Sequence, residues 1–246
     1  MSASQFIVMD NAQALYVRAA EEIAHLAGEA ICTHGEFTLC LTGGTTPAST
    51  YELLATRFHL SVDWKEVQFF WGDERCVQPD DRASNFGMAN RTMLSKLALR
   101  PEQIHRIRGE DEPVQAAQEY ERELRSFFRM EQAGDFPSFN LMLLGLGENA
   151  HVASLFPRHP ALFEKTRLAV AVEVDAAPRR RVSLTMPVIN SAQRVMFLVS
   201  GEQKAAAVRN ILQGPPDQEQ YPAQFVKPRS SEIVWLMDKA AASELK

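Results

Sequence analysis

The stretch Leu141-Met142-Leu143-Leu144-Gly145-Leu146-Gly147-Glu148-Asn149-Ala150-His151 decides the architecture. Four apolar residues in unbroken succession, Leu141 to Leu144, have the length of a strand buried on both faces, because a strand with one wet face would alternate polar and apolar. Gly145 and Gly147 then let the backbone turn, and a polar cluster of Glu148, Asn149 and His151 stands at the strand's end. Open α/β sheets bind ligands at the carboxyl ends of their strands, so a histidine delivered there by a glycine turn is placed for proton transfer. A loop histidine with no task is the blander alternative. The buried strand, the turn and the polar neighbours together favour a site.

Outward from this stretch the same unit recurs. The apolar strand 37–41 is followed by Thr42-Gly43-Gly44-Thr45-Thr46-Pro47 and a helical pattern over 48–58. Glycines admit close approach of a ligand, a threonine can cap the helix, and Pro47 suits its first turn. Free amides at such a helix start, with the dipole behind them, form an anion site, although an ordinary tight turn reads the same way. Strand 67–71 ends in Gly72-Asp73-Glu74-Arg75, three charges that composition alone assigns to a solvated rim. Strand 194–200 is turned by Gly201 into a helix over 202–212. Lys204 in that helix's first turn opposes the dipole unless an anion shares the position. The run Arg179-Arg180-Arg181 is either a solvated face or a phosphate clamp, since the guanidinium fork matches phosphate oxygens.

The remaining chain fits between these units. A strand over 5–9 and a helix over 11–34, capped by Asn11 and ended by Gly35, open it. Residues 78–85 read as a surface loop, 90–99 and 113–130 as amphipathic helices, and 104–107 as a short strand. The longer helix turns Ala117, Tyr120, Leu124, Phe127 and Phe128 to the core. Strands over 168–174, 182–185 and 233–238 follow, with a closing helix over 239–245. Alternation of this kind predicts an α/β fold in one domain over 1–246, with a largely parallel sheet and helices on both faces.

The chain has 246 residues, 46% hydrophobic and 23% charged, enough to bury a substantial core. A formal net charge of -5 excludes a basic nucleic-acid-binding surface while leaving room for a locally positive pocket. The start, Met1-Ser2-Ala3-Ser4-Gln5-Phe6, lacks the basic flank and long apolar run of a secretory signal, and no segment has the length of a membrane span. A cytoplasmic protein is the expectation, as a monomer or small homo-oligomer. Cys32, Cys40 and Cys76 are odd in number and unpaired in spacing, so neither a disulfide framework nor a zinc site is indicated.

Taken together, Leu41 to Pro47, Gly72-Asp73-Glu74-Arg75, Ser84-Asn85, Leu144 to Gly147 with His151-Val152-Ala153-Ser154-Leu155-Phe156-Pro157, Arg181 to Thr185, and Gly201 to Ala205 resemble the 6-phosphogluconolactonases. The Ser154-Leu155-Phe156-Pro157 ending is the most specific piece, because the related glucosamine-6-phosphate deaminases continue differently after the shared histidine. The resemblance implies a modified Rossmann-type sheet of the sugar-phosphate isomerase/deaminase kind. It also implies hydrolysis of a phosphorylated sugar lactone with no metal and no cofactor. It gives His151 the role of general base, helped by Asn149, and gives Arg75 the orientation of substrate or oxyanion. Gly43, Gly44, Thr45, Thr46, Asp73, Arg181 and Lys204 would hold the substrate. One departure stands out: the family's usual Asp-Gly before the histidine is Asn149-Ala150 here. Asparagine keeps the hydrogen bond and gives up the charge, Ala150 is strained if its φ is positive, and Glu148 could replace the carboxylate only if aimed inwards. A sugar-phosphate isomerase or deaminase using Asp73 as base, and a sugar-phosphate-binding protein without catalysis, are the alternatives.

Overall fold

A computed structural model describes residues 4–132, 134–228 and 232–246; Met1, Ser2 and Ala3, part of the start read above, lie outside the described residues. The first half runs β1 (Ser4–Met9), α1 (Ala12–His34), β2 (Phe37–Leu41), α2 (Thr45–Thr56), β3 (Val67–Trp71), β4 (Asp73–Arg75), α3 (Asn85–Thr92) and α4 (Pro113–Phe127). The second half runs β5 (Leu141–Leu144), β6 (Ala169–Glu173), β7 (Arg180–Leu184), α5 (Met186–Ile189), β8 (Arg194–Val199), α6 (Ala205–Leu212) and β9 (Glu232–Asp238).

Six strands form a parallel sheet in the order β1-β9-β8-β5-β2-β3. Every residue of β2 and β5 is buried, the pattern of strands covered on both faces, whereas the edge strand β1 leaves Phe6 and Val8 exposed. From β2 the chain steps outward to β3, then returns to β5 on the other side of β2. That reversal opens a crevice between the carboxyl ends of β2 and β5, the switch point where open α/β sheets bind ligands.

A second, three-stranded antiparallel sheet, β4-β7-β6, was not foreseen from the sequence, which read β6 and β7 into one largely parallel sheet and β4 as the charged end of β3. Gly72 is the hinge between the two: its N–H donates to the Leu41 carbonyl at 2.9 Å in the large sheet, and its carbonyl accepts from Leu184 N–H at 2.8 Å in the small one. Helix α1 is bounded as expected, with Asn11 Oδ1 accepting from Ala14 N–H and Gly35 in the left-handed region at φ 79°. Other boundaries shift. The helix placed at 90–99 is α3 at Asn85–Thr92, the strand at 104–107 reduces to a single bridge between Ile104 and Phe69, and 239–245 is a series of turns. These segments are too short for a 3.6-residue period to register over more than two turns.

Two tyrosines pin the strand ends that border the crevice. The Tyr51 hydroxyl, on α2, donates to the Thr42 carbonyl and accepts from Thr42 N–H, both at 3.0 Å. The Tyr120 hydroxyl, on α4, does the same for Trp71, at 2.9 and 3.0 Å. Both rings are buried, and a buried phenol must find such partners. No helix among the described residues is long and apolar enough to cross a membrane.

Candidate active site

At the switch point lies a cavity of about 220 Å³ lined by Thr42, Gly43, Gly44, Asp73, Arg75, Asn85, Gly145, Leu146, Gly147, His151, Ala153, Arg181 and Lys204. Larger open clefts exist elsewhere on the surface, but this is where the titratable groups converge. The loop that carries His151 closes on itself, with Gly147 N–H donating to the His151 carbonyl at 3.0 Å and Ala150 N–H to the Gly147 carbonyl at 2.9 Å. Closure requires φ 65° at Ala150, and the strain expected there is present: a left-handed alanine costs about 1–2 kcal/mol. Buried Val152 and Leu155 anchor the loop from its far side. Gly147 admits the imidazole, because a Cβ on it would lie 2.0 Å from His151 Nδ1.

Asn149 Oδ1 accepts from His151 Nδ1–H at 2.6 Å and lies 3.4 Å from the His151 backbone N–H. Two donors on one oxygen fix the amide, and the amide in turn fixes the imidazole tautomer. Nε2 is left as the nitrogen with a free lone pair. Burial, then the charges of Arg181, Lys204 and Arg75, pushes the His151 pKa down to about 4, so the imidazole is neutral at physiological pH. Glu148 is exposed, and among the described residues His151 Nδ1 is held by Asn149 rather than by Glu148, so the carboxylate that it could have supplied is not aimed inwards.

The cations come from three elements. Arg75 on β4 and Arg181 on β7 are paired residues of the antiparallel ladder, an arrangement that is unfavourable for like charges unless an anion lies between them. Neither makes an ion pair among the described residues. Arg75 donates from Nη1 to the Ala83 carbonyl at 2.8 Å while its buried Nε finds no acceptor. Of the three-arginine run, Arg179 and Arg180 are exposed and only Arg181 is buried, so one member is a cavity residue and two are the solvated face. Burial, and then the charge of Arg75, lowers its pKa. Lys204 sits at the start of α6, and burial lowers its pKa too.

Opposite β7, helix α2 starts at Thr45 rather than at residue 48, and its N-cap is Gly44 at φ 112° with no side-chain cap. The threonine cap expected there is absent. The first helical bond is Ala48 N–H to the Gly44 carbonyl, so the amides of Thr45 and Thr46 precede the helix's own acceptors. Their side chains do not line the cavity, and neither does Asn149, which holds His151 from behind.

The segment Asp73-Glu74-Arg75 is no solvated rim: Asp73 and Glu74 are 5% and 2% exposed. Asp73 faces the cavity with Oδ2 accepting from Ser154 Oγ at 2.6 Å and Oδ1 from Asn85 Nδ2 at 3.1 Å. Glu74 faces away and accepts from Asn85 N–H, Phe86 N–H and Ser84 Oγ at the start of α3, a structural carboxylate whose pKa burial raises. Reading 78–85 as surface misplaced Asn85, singled out only within the Ser84-Asn85 motif: it is buried and fills the space that a side chain on Gly43 would need. Its signal was the cap: Ser84 Oγ accepts from Gly87 N–H at 2.9 Å, marking a helix start.

An α/β sheet whose switch-point crevice holds three cations, a helix start and a neutral histidine has the make-up of a site for a small anionic ligand. The chain belongs to the family described as glucosamine-6-phosphate isomerases/6-phosphogluconolactonase, whose model matches residues 10–235. It is 40% identical over 245 residues to a 6-phosphogluconolactonase of Synechocystis sp., covering 99% of each chain, and 37% identical to that of Nostoc sp., covering 97% of each. A solved 6-phosphogluconolactonase from Trypanosoma cruzi superposes with a TM-score of 0.88 at 25% identity, over 100% of this chain and 98% of that one.

Proposed function

We propose that this chain hydrolyses 6-phospho-D-glucono-1,5-lactone to 6-phosphogluconate, in the cytoplasm and as a step of the oxidative pentose phosphate pathway, from a single domain. The observation that carries this reading is a neutral histidine with a free Nε2 beside three cations that make no ion pair among the described residues, in a cavity of about 220 Å³. The amides of Thr45 and Thr46, the Gly43-Gly44 turn, Arg181 and Lys204 hold the 6-phosphate. His151 Nε2 takes a proton from water as its oxygen bonds to the lactone carbonyl carbon. Arg75 faces the oxygen that becomes negative. Collapse of the tetrahedral intermediate breaks the bond to the ring oxygen, which leaves with the proton from Nε2, so the histidine ends as it began. Clamping the remote phosphate fixes the carbonyl against the water.

The isomerase or deaminase reading needs Asp73 to take a carbon-bound proton. Each of its oxygens already accepts from the protein, from Ser154 and Asn85, which suits a fixed acceptor for a sugar hydroxyl. The deciding assay couples glucose-6-phosphate dehydrogenase to 6-phosphogluconate dehydrogenase so that lactone opening limits the flux. Acceleration by the native protein and none by His151→Ala is the expected outcome. Tight binding of 6-phosphogluconate without turnover would instead make the chain a binding protein.

A further inference from the structure

His151 and Arg181 touch one common side chain that does not line their cavity. The ring of Phe156 stacks on the His151 imidazole, with centroids 4.2 Å apart and planes inclined by 17°. The Arg181 guanidinium carbon lies 5.3 Å from the centroid of that same ring. On its other side Phe156, with Asn149, His159 and Glu173, lines an adjoining cavity of about 450 Å³. It is therefore a wall between two spaces, touching the base on one side. The chain around it is fixed by buried Leu155, by left-handed turns at Ala153 (φ 48°) and Arg158 (φ 58°), and by Arg158 N–H donating to the Glu219 carbonyl at 2.9 Å.

We propose that Phe156 is a positioning residue, whose ring sets the plane of His151 against Arg181 and seals the base from the adjoining cavity. The inference deepens, and rests on, the reading of His151 as the base. An imidazole held at Nδ1 by Asn149 alone can still tilt about that bond, and a stacked ring removes the freedom that would swing Nε2 off line. Contact with Arg181 places the clamp and the base against one rigid surface, so an anion that orders the guanidinium also steadies the ring under the imidazole. Charged groups face the imidazole from the other directions: Asp73 and Arg75 on β4, Arg181 on β7, and Lys204 before α6. Phe156 is the uncharged face, and taking it away admits water together with the screened field of Arg158, His159, Glu173 and Asp175, which line the adjoining cavity. Part of the burial that depresses the His151 pKa is thereby assigned to this one ring.

The test compares Phe156→Ala and Phe156→Tyr in the full chain, by turnover and by NMR titration of the His151 Cε1–H signal. Removing the ring is expected to lower kcat by about 10-fold to 100-fold, by more than it raises KM, because misaligned reacting groups carry that cost. The His151 titration midpoint should move up from about 4 towards the ordinary histidine range as solvent reaches the imidazolium. Phe156→Tyr, which keeps the aromatic face, should restore both. A residue serving packing alone would lower the melting temperature and leave the titration where it was, and that result in Phe156→Ala overturns the inference. Should His151→Ala keep native turnover, the base assignment fails instead, and the titration still decides the role of Phe156.

Discussion

Restoring the charge beside the base is the most informative single change. In Asn149→Asp a carboxylate replaces the amide oxygen that accepts from Nδ1 at 2.6 Å. With about 4 Å between the charge centres and an effective dielectric near 20, the attraction to imidazolium is about 4 kcal/mol, or about 3 pK units. Residue 149 is exposed, so solvent screening reduces this to about 1–2 units. The His151 pKa, pushed down to about 4 in this chain, should rise to about 5–6. The acid limb of kcat/KM moves up with it, because the base works only when neutral and activity is lost as pH falls through its pKa. At neutral pH the base remains deprotonated but is stronger, and its conjugate acid is better held for delivery to the ring oxygen. Turnover should rise on the order of tenfold, part of the ~10²–10⁴ that a well-placed acid–base group supplies. The coupled lactone assay from pH 4 to 8 reads both effects. A folded Asn149→Asp protein whose acid limb has not moved would refute the assignment of Asn149 as the partner of His151, whatever its rate.

Gly147→Ala should cut turnover by about 100-fold with the fold intact by circular dichroism, since its Cβ would sit 2.0 Å from His151 Nδ1 and must displace the ring. Arg181→Gln and Lys204→Ala should each raise KM about 10-fold to 100-fold, the loss of a charge-assisted hydrogen bond to phosphate, and should do so less at high salt; unchanged KM in both would remove them from the clamp. In the unaltered chain the His151 Cε1–H signal of the free protein should titrate near pH 4, because the folded-state pKa of His151 is depressed to about 4. A midpoint near pH 6.5 would show that the cations and burial do not act on it as argued.

How much of this was legible in the sequence follows from the physics of each piece. Strands β2, β5 and β8 announced themselves because they are buried on both faces and read as unbroken apolar runs. Glycine turns after them located Gly43, Gly147 and Gly201 by the same logic. Strand β4 could not be seen that way: Asp73, Glu74 and Arg75 are charged, and only the fold shows that two of them are buried among donors. Its pairing with β7 links residues more than a hundred positions apart, and no local pattern records which arginine of Arg179 to Arg181 will face Arg75. Ser154 and Phe156 were noticed as a motif, but their partners, Asp73 and the faces of His151 and Arg181, exist only in three dimensions.

The low basicity of His151 and the crowding of cations have one origin, and substrate resolves both. Arg75 and Arg181 stand opposite each other across a ladder, with Lys204 near, and all three depress the imidazole pKa. In the free protein that arrangement is a cost, carried by a fold whose six-stranded core is buried elsewhere. A phosphate dianion in the crevice offsets the same three charges and withdraws their influence from His151. If His151 is the base, as proposed, it strengthens when the phosphate end of a substrate is in place, and a lactone without phosphate meets a weaker one. On the proposed reading, binding energy gained at the remote phosphate is in this way expressed at the carbonyl, through the electrostatics of a shared cavity. Asn149 fits this design: a fixed aspartate would raise the basicity of His151 whether or not phosphate were bound, whereas a neutral amide leaves that control to the substrate.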